Sequence, residues 1–161
     1  FSENRLKELL ETIEEVDGKV IIWCSYRHNI KKVIEALNKK FGSGSAEGFY
    51  GETPSTDRPK ILKKFMDDND SMRFLVGHPR TGGYGLTLTI AKTMIFYSND
   101  YDLEIREQAE ARNHRIGTEK KVTYVDLVCE GTVDENILKS LREKINIATQ
   151  IMGEEFKQWL I

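Results

Sequence analysis

Residues 19–24 read KVIIWC, a run that is apolar after its first lysine and rich in β-branched side chains. Such a run is typical of a strand that is buried on both faces of a parallel sheet. Residues 46–50 are a candidate short strand, and residues 73–78, 93–97 and 122–128 indicate further strands. Segments with apolar residues at helical spacing separate these strands, except between residues 78 and 93, where a glycine-rich loop follows. Five strands that alternate with helices predict one α/β domain, with a parallel sheet of about five or six strands and helices on both faces.

The composition of the 161 residues, 39% hydrophobic and 31% charged, allows one compact core and excludes a disordered tail. No apolar run is long enough to cross a membrane, and no secretory signal pattern opens the chain. Cys24 and Cys129 are far apart, and the three histidines are scattered, so we expect no disulfide framework and no metal site. These features predict an intracellular protein without a membrane partner. Because the chain opens on Phe1, we expect it to be part of a longer protein.

Charge is unevenly distributed along the chain. The net charge is −2, but residues 27–64 carry nine basic and four acidic side chains and have a net charge of +5. Such a stretch is either a set of solvated helix faces or a local binding surface for phosphates, and composition alone does not decide between them.

A glycine-rich loop follows the third predicted strand, where residues 78–88 read HPRTGGYGLTL. Its glycines lie beside Arg80 and Thr81, and glycine lets backbone N–H groups approach an oxyanion closely. The alternative is a tight turn between a strand and a helix. The chain lacks a Walker A motif, and Leu88 replaces the third glycine of a dinucleotide fingerprint, so no complete nucleotide site is predicted.

Residues 108–117 read QAEARNHRIG, in a helix predicted over residues 103–115. Gln108, Arg112 and Arg115 would share one face of this helix. Two guanidinium groups so close together suit a polyanion, and their planar, permanent charge suits a phosphoryl group. The alternative is that Arg115 only favours the helix dipole while Arg112 is solvated. Since a P-loop is missing, the arginines are predicted to act on a nucleotide that is held elsewhere.

Several ordered motifs make the chain similar to a known family. QAEARNHRIGT resembles helicase motif VI, PRTGGYGLTL motif V, GFYGETPSTDR motif IVa and VIIWCSY motif IV, and LVCEGTVDENILKSL resembles the closing strand and helix. Over residues 5–148 the chain resembles the second RecA-like lobe of superfamily 2 helicases, and most closely the Swi/Snf-type DNA translocases. Thr118, Thr87 and residues 101–103 depart from the family pattern, which suits a phage or bacterial member.

The resemblance implies a C-terminal helicase lobe over residues 1–152 and a helical extension over residues 153–161. It implies an ATPase in which the N-terminal RecA-like lobe of the same protein holds most of the ATP and Mg²⁺. The isolated chain is then expected to be monomeric and inactive. Double-stranded or single-stranded DNA is the expected partner, in the cytoplasm or nucleoid, or in the host cytoplasm of a phage.

The resemblance also implies residue roles. Arg112 and Arg115 would be arginine fingers, and Gln108 would couple the lobes or contact the γ-phosphate. Gly83, Gly85 and Gly117 would contact the nucleotide. The residues implied along the nucleic-acid track are Ser25, Tyr26, Thr53, Arg58, Arg80, Thr81 and Gly82. An RNA helicase lobe of the same superfamily and a non-catalytic nucleic-acid- or protein-binding module are the alternatives, and a Rossmann-type dehydrogenase is a distant third.

Overall fold

The computed structural model describes residues 2–81, 88–113 and 121–152. Five helices and five strands are described, and they alternate except where β4 follows β3. The helices are α1 (Ser2–Glu14), α2 (Arg27–Phe41), α3 (Arg58–Met66), α4 (Leu103–Ala111) and α5 (Val133–Met152). The strands are β1 (Val20–Trp23), β2 (Ala46–Phe49), β3 (Phe74–Gly77), β4 (Thr93–Phe96) and β5 (Thr123–Asp126).

The strands form one sheet in the order β2-β3-β1-β4-β5, and every neighbouring pair is parallel. The predicted parallel sheet is therefore confirmed. The central strand is β1, and its last residue, Trp23, pairs with Gly77 on one side and with Phe96 on the other. After β1 the chain turns to one half of the sheet, and it later adds β4 and β5 to the other half. The carboxyl end of β1 is thus the point at which the winding reverses.

Successive β1 side chains point to opposite faces of the sheet, and all four are fully buried. Val20 and Ile22 pack with the apolar sides of α1 and α2. Ile21 and Trp23 pack with side chains from α3 and α4 on the other face. Burial on both faces explains why this strand is continuously apolar, and it confirms helices on both faces of the sheet.

The side chains of Lys19 and Arg73 bind the ends of α3 and α1 at the amino edge of the sheet. The ammonium group of Lys19 donates to carbonyls that follow or end α3, and the shortest of these bonds is 2.6 Å, to Met72 O. Arg73 donates to carbonyls at the end of α1 and just after it, those of Ile13, Val16 and Gly18. These contacts satisfy carbonyls that a helix end leaves without intrahelical partners. The amino edge is therefore occupied by structural contacts.

The fourth helix is shorter than predicted. It ends at Ala111, whereas the sequence pattern predicted a helix to residue 115. The carbonyl of Arg112 accepts the Leu88 N–H at 2.7 Å, and the N–H of Asn113 bonds to Glu110, three residues back. The backbone thus leaves the i to i−4 pattern at Asn113, and the Arg112 carbonyl is bonded from outside the helix. Residues 114 and 115 lie outside the described part of the chain.

The last helix is capped by Thr132. The hydroxyl of Thr132 accepts the Asp134 N–H at 3.3 Å, two residues into the helix. No helix in the described ranges is both long enough and apolar enough to cross a membrane. The domain prediction of residues 1–152 followed by an extension remains a prediction, because residues 153–161 are not described.

Candidate functional site

The predicted site residues that the structure describes lie at or near the carboxyl edge of the sheet. The segments after β1, β2, β3 and β4 carry polar side chains there, Gln108 belongs to α4, and Arg112 follows α4. Gly82, Gly83, Gly85, Arg115 and Gly117 lie outside the described residues. In a parallel sheet this edge is where ligands bind, so these segments define the candidate site.

The crevice at the reversal point of the sheet is closed by two serines. The N–H of Ser25 donates to the Ser98 hydroxyl at 2.8 Å, and the Ser25 hydroxyl donates to the Ser98 carbonyl at 3.2 Å. The remaining cavity, lined also by His78, Asn99 and Asp102, has a volume of about 10 Å³. That is about the room of one water molecule. The described residues of this crevice thus leave little enclosed space, and residues 82–87 of the adjoining loop lie outside the described part of the chain.

Arg112 joins three parts of the carboxyl edge. Its guanidinium group donates to the Pro79 carbonyl at 3.3 Å and lies 5.9 Å from the centroid of the Trp23 ring. Trp23 ends β1, Pro79 begins the loop after β3, and Arg112 follows α4. Burial lowers the pKa of Arg112, but an arginine keeps its charge at neutral pH. The residue therefore places a half-buried permanent cation beside the glycine loop.

Gln108 lies one helical turn before Arg112 and is exposed. Its side-chain amide donates to the Glu104 carboxylate at 3.0 Å, within α4. The two residues are four positions apart, which puts them on the same side of the chain. Gln108 and Arg112 have different partners in the structure, and their joint action, like the placement of Arg115 beside them, stays a prediction.

Arg80 faces acidic side chains. Its guanidinium group lies 3.7 Å from the Asp100 carboxylate and 3.5 Å from that of Asp102, and its side chain is 58% exposed. Exposed ion pairs at such distances contribute little stability. A phosphate group would therefore compete with weakly held carboxylates for Arg80. Thr81 follows, and its N–H donates to the His78 carbonyl at 3.0 Å.

His78 is a residue of this edge that the sequence reasoning missed. Its Nδ1 accepts the backbone N–H of Arg80 at 3.1 Å, and its ring also forms a hydrogen bond with the backbone of Ser25. The imidazole thus ties the loop after β3 to the loop after β1. Burial, followed by the charges of Arg80 and Arg27, lowers the pKa of His78. The sequence feature that could have pointed to His78 is its position directly after a buried strand.

The His78 pKa makes stability depend on pH. The folded state binds the His78 proton less well than the unfolded state does. The contribution of His78 to the free energy of unfolding is therefore fully present above its ordinary pKa of about 6.5, and it is lost as the pH decreases through the lowered value. We expect the urea midpoint of the protein to fall between pH 7.5 and pH 5.5, and His78→Gln to reduce that fall. His28→Gln, on an exposed side chain of α2, is the control. Equal falls in the wild type and in His78→Gln would contradict this role.

Tyr26 is an exposed aromatic side chain of the edge. It is 53% exposed, and its ring stacks on that of His28 with centroids 5.9 Å apart. Nearby, Glu52 lies 2.8 Å from the ammonium group of Lys31 and 3.7 Å from the guanidinium group of Arg27. Aromatic and basic groups together suit a nucleic-acid strand, since bases stack on rings and phosphates bind cations.

Thr53 and Arg58 shape the loop after β2. The Thr53 hydroxyl donates to the Gly48 carbonyl at 2.9 Å and accepts the Tyr50 N–H at 3.1 Å. Arg58 donates to the carbonyls of Thr53 and Tyr50, at 3.1 and 3.4 Å. Both side chains hold their own loop, so any contact that they make with nucleic acid would be through the loop that they support. Thr53 does not cap α3, which begins after Asp57.

The basic stretch over residues 27–64 does not form one surface. Its two helices cover opposite faces of the sheet, because α2 packs in one apolar cluster and α3 in the other. Several of its lysines also pair with acidic side chains, for example Lys40 with Glu14 and Lys64 with Glu47. The lysines along these helices therefore resemble solvated helix faces more than a single phosphate-binding surface.

No group of three or more His, Cys, Asp or Glu side chains within the described ranges is placed to hold a metal ion. The cationic and amide groups found there suit an anion instead. A metal ion that accompanies such an anion would need ligands from another part of the protein.

Comparison with known proteins gives the family. Residues 3–117 match the helicase conserved C-terminal domain. The chain belongs to the helicase C-terminal domain family. This helicase C-terminal domain is 38% identical over 108 residues to the human chromatin-remodeling ATPase INO80, which covers 66% of the chain and 7% of the human protein.

A second relative carries the Swi/Snf name. The domain is 31% identical over 147 residues to the Caenorhabditis elegans SWI/SNF-related matrix-associated actin-dependent regulator of chromatin, subfamily A containing DEAD/H box 1 homolog. The match covers 91% of the chain and 15% of the nematode protein. The predicted relationship to Swi/Snf-type ATPases is thereby confirmed. The helicase C-terminal domain spans only a small part of these relatives, and its predicted phage or bacterial source remains a prediction.

A solved structure supports the same assignment. The C-terminal part of the Fun30 ATPase domain superposes with a TM-score of 0.73 and 25% sequence identity, over 87% of this chain and 44% of that one. The predicted RecA-like lobe is confirmed by this match. The helicase C-terminal domain therefore has the fold and the family that the motifs indicated.

Proposed function

We propose that the chain is the C-terminal lobe of an ATP-dependent DNA translocase, and that it completes an ATP site held mostly by an N-terminal lobe of the same protein. The observation that carries this proposal is the position of Arg112. Its guanidinium group lies at the carboxyl edge, beside the glycine loop, while the lobe's own crevice is closed by Ser25 and Ser98. A cation beside a closed crevice is suited to a nucleotide bound by another lobe.

The described residues fit this nucleotide as partners of its phosphates. When bound, ATP with its Mg²⁺ supplies the phosphoryl chemistry, and the N-terminal lobe would hold most of both. Arg112, together with Arg115, would neutralise charge on the phosphate oxygens, which is the work of an arginine finger. Gln108 would contact the γ-phosphate or couple the lobes. Gly83, Gly85 and Gly117 would approach the nucleotide with their backbones.

The nucleic-acid track would follow the carboxyl edge. The exposed Tyr26 and the weakly paired Arg80 are its most accessible members, and Ser25, Thr81 and Gly82 would lie along it. Thr53 and Arg58 would support it by holding the loop after β2. The nucleotide would bias a hinge motion between the two lobes and so move them along DNA. We infer an intracellular location, because the substrate is DNA, and a monomeric isolated lobe.

The test compares the longer protein with the isolated chain. We expect the longer protein to hydrolyse ATP faster when duplex or single-stranded DNA is added, and the 161-residue chain to show no hydrolysis although circular dichroism shows it folded. Phosphate release with duplex DNA, single strands or RNA is the measurement. Stimulation by RNA alone would favour an RNA helicase lobe. A longer protein without hydrolysis would favour a non-catalytic module, and robust hydrolysis by the isolated chain would refute the two-lobe proposal.

A further inference from the structure

Helix α4, which precedes Arg112, buries few apolar side chains. Helix α4 has nine residues, and Ala109 is the one residue of this helix that is fully buried. A helix of this length is marginal by itself and depends on contacts with the rest of the fold. Because a methyl group supplies few of those contacts, other side chains must set the position of α4 on the sheet.

Arg106, at the middle of α4, makes the contacts that can do this. Its side chain is 12% exposed, and its guanidinium carbon lies 3.5 Å from the centroid of the Phe96 ring at the end of β4. It donates to the Asn99 amide oxygen at 2.8 Å and to both oxygens of Asp126, at 2.5 and 3.2 Å. It also donates to Glu110, one turn along the helix, at 2.6 Å.

These contacts join α4 to the ends of two strands. Asp126 ends β5, and Asn99 follows β4 and donates to the same carboxylate at 2.8 Å. A planar guanidinium group fixes both distance and orientation when it binds a carboxylate through two hydrogen bonds. The carboxyl ends of β4 and β5 therefore act as a rigid base on which Arg106 holds α4.

We propose that Arg106 is a positioning residue that acts through Arg112. Arg112 follows Arg106 by six residues, about 9 Å along a helix, so a small rotation of α4 displaces the Arg112 guanidinium group. A displacement of about 1 Å can reduce a reaction rate by about a hundredfold. This inference rests on the proposed function, since it concerns the delivery of Arg112 to the phosphates.

Removal of Arg106 would leave two carboxylates close together and without their cation. Asp126 and Glu110 both bind it, so each would lose a charged partner in a half-buried place. An uncompensated charge of this kind is costly, and the structure relieves it by moving apart. The expected movement separates α4 from β5 and changes the position of Arg112.

The experiment measures ATP hydrolysis by the longer protein with saturating DNA. We expect Arg106→Met to reduce kcat at least about tenfold while the KM for ATP changes less than about twofold. Arg106→Lys keeps the charge but loses the planar fork, and it is expected to give an intermediate kcat. Asn99→Ala removes one acceptor and is expected to give a smaller fall in the same direction. Asn99→Ala tests the positioning role if Arg106→Met does not fold.

Measurements in the Arg112→Ala variant distinguish a positioning role of Arg106 from a general loss of stability. If Arg106 acts through Arg112, then Arg106→Met has no further effect on single-turnover hydrolysis in a protein that already carries Arg112→Ala. Arg73→Met is the matched control, because Arg73 is also a partly buried arginine that donates to several groups, but at the amino edge. It is expected to lower the urea midpoint and to leave kcat unchanged.

Two results would overturn the inference. One is a wild-type kcat in the folded Arg106 variants, and the other is an equal further loss in the Arg112→Ala background. Both leave the proposed function intact if the wild-type protein hydrolyses ATP in a DNA-dependent manner. A wild-type protein without such hydrolysis would overturn the proposed function and this inference together.

Discussion

Arg112→Ala in the longer protein is expected to lower DNA-stimulated ATP hydrolysis by about a thousandfold, with little change in the affinity for ATP. The lost group is a permanent, half-buried cation next to the glycine loop. A finger of this kind stabilises charge that develops on the phosphoryl oxygens, and its removal affects kcat more than binding. Phosphate release measures turnover, and titration with a fluorescent ATP analogue measures binding. Arg115→Ala is expected to behave in the same way.

The controls for this prediction test charge, geometry and folding. Arg112→Lys keeps the charge but loses the planar fork, so we expect it to recover only part of the rate. Arg142→Ala removes an exposed arginine of α5 and is expected to leave the rate unchanged. Since Arg112 also lies over the Trp23 ring, each variant is checked by its urea midpoint. Wild-type turnover by both Arg112→Ala and Arg115→Ala would sink the arginine-finger assignment.

Gly77→Ala is expected to lower the free energy of unfolding by about 2–3 kcal/mol, the upper part of the usual range for overpacking. A Cβ atom on Gly77 would lie 2.4 Å from the carbonyl oxygen of Phe49, which is backbone of the neighbouring strand, and 3.1 Å from the Trp23 ring. Relief of this clash requires β2 to move away from β3. Urea unfolding followed by circular dichroism gives the change.

Two nearby glycines provide matched controls. A Cβ atom on Gly48 would meet the ends of the Tyr50 and Ile34 side chains, at 2.7 and 2.9 Å, and these ends can rotate away. We expect Gly48→Ala to cost less than half as much as Gly77→Ala. Gly51→Ala meets no atom within 4 Å, and its effect is expected to be within about 0.5 kcal/mol. If all three variants were equally stable, β2 and β3 would not approach each other as described.

The fold was predictable from the sequence because the three inner strands, β1, β3 and β4, are short runs whose side chains are all buried. The run at residues 20–23 is buried on both faces, and such a pattern occurs only where helices cover both sides of a sheet. The end of α4 was not predictable. The carbonyl of Arg112, the residue after the helix, is bonded by the N–H of Leu88, which is far away along the chain, and periodicity reports only local spacing.

The sequence could predict which residues form the candidate site, but not which contacts these residues make. The sequence singled out Gln108 and Arg112 by their four-residue spacing, but the structure gives them different partners, Glu104 and Pro79. The contact of Arg112 with Trp23 and Pro79 depends on strand order, which no local pattern contains. The same holds for Arg106, whose partners belong to two other strands. Residues 27–64 do have a net charge of +5, but a net charge does not show that α2 and α3 pack on opposite faces of the sheet.

The hydrogen bonds between Ser25 and Ser98 also bear on stoichiometry. In the proposed two-lobe protein, a lobe whose crevice is bridged in this way would leave the binding of nucleotide to the N-terminal lobe, so that each pair of lobes would bind one ATP.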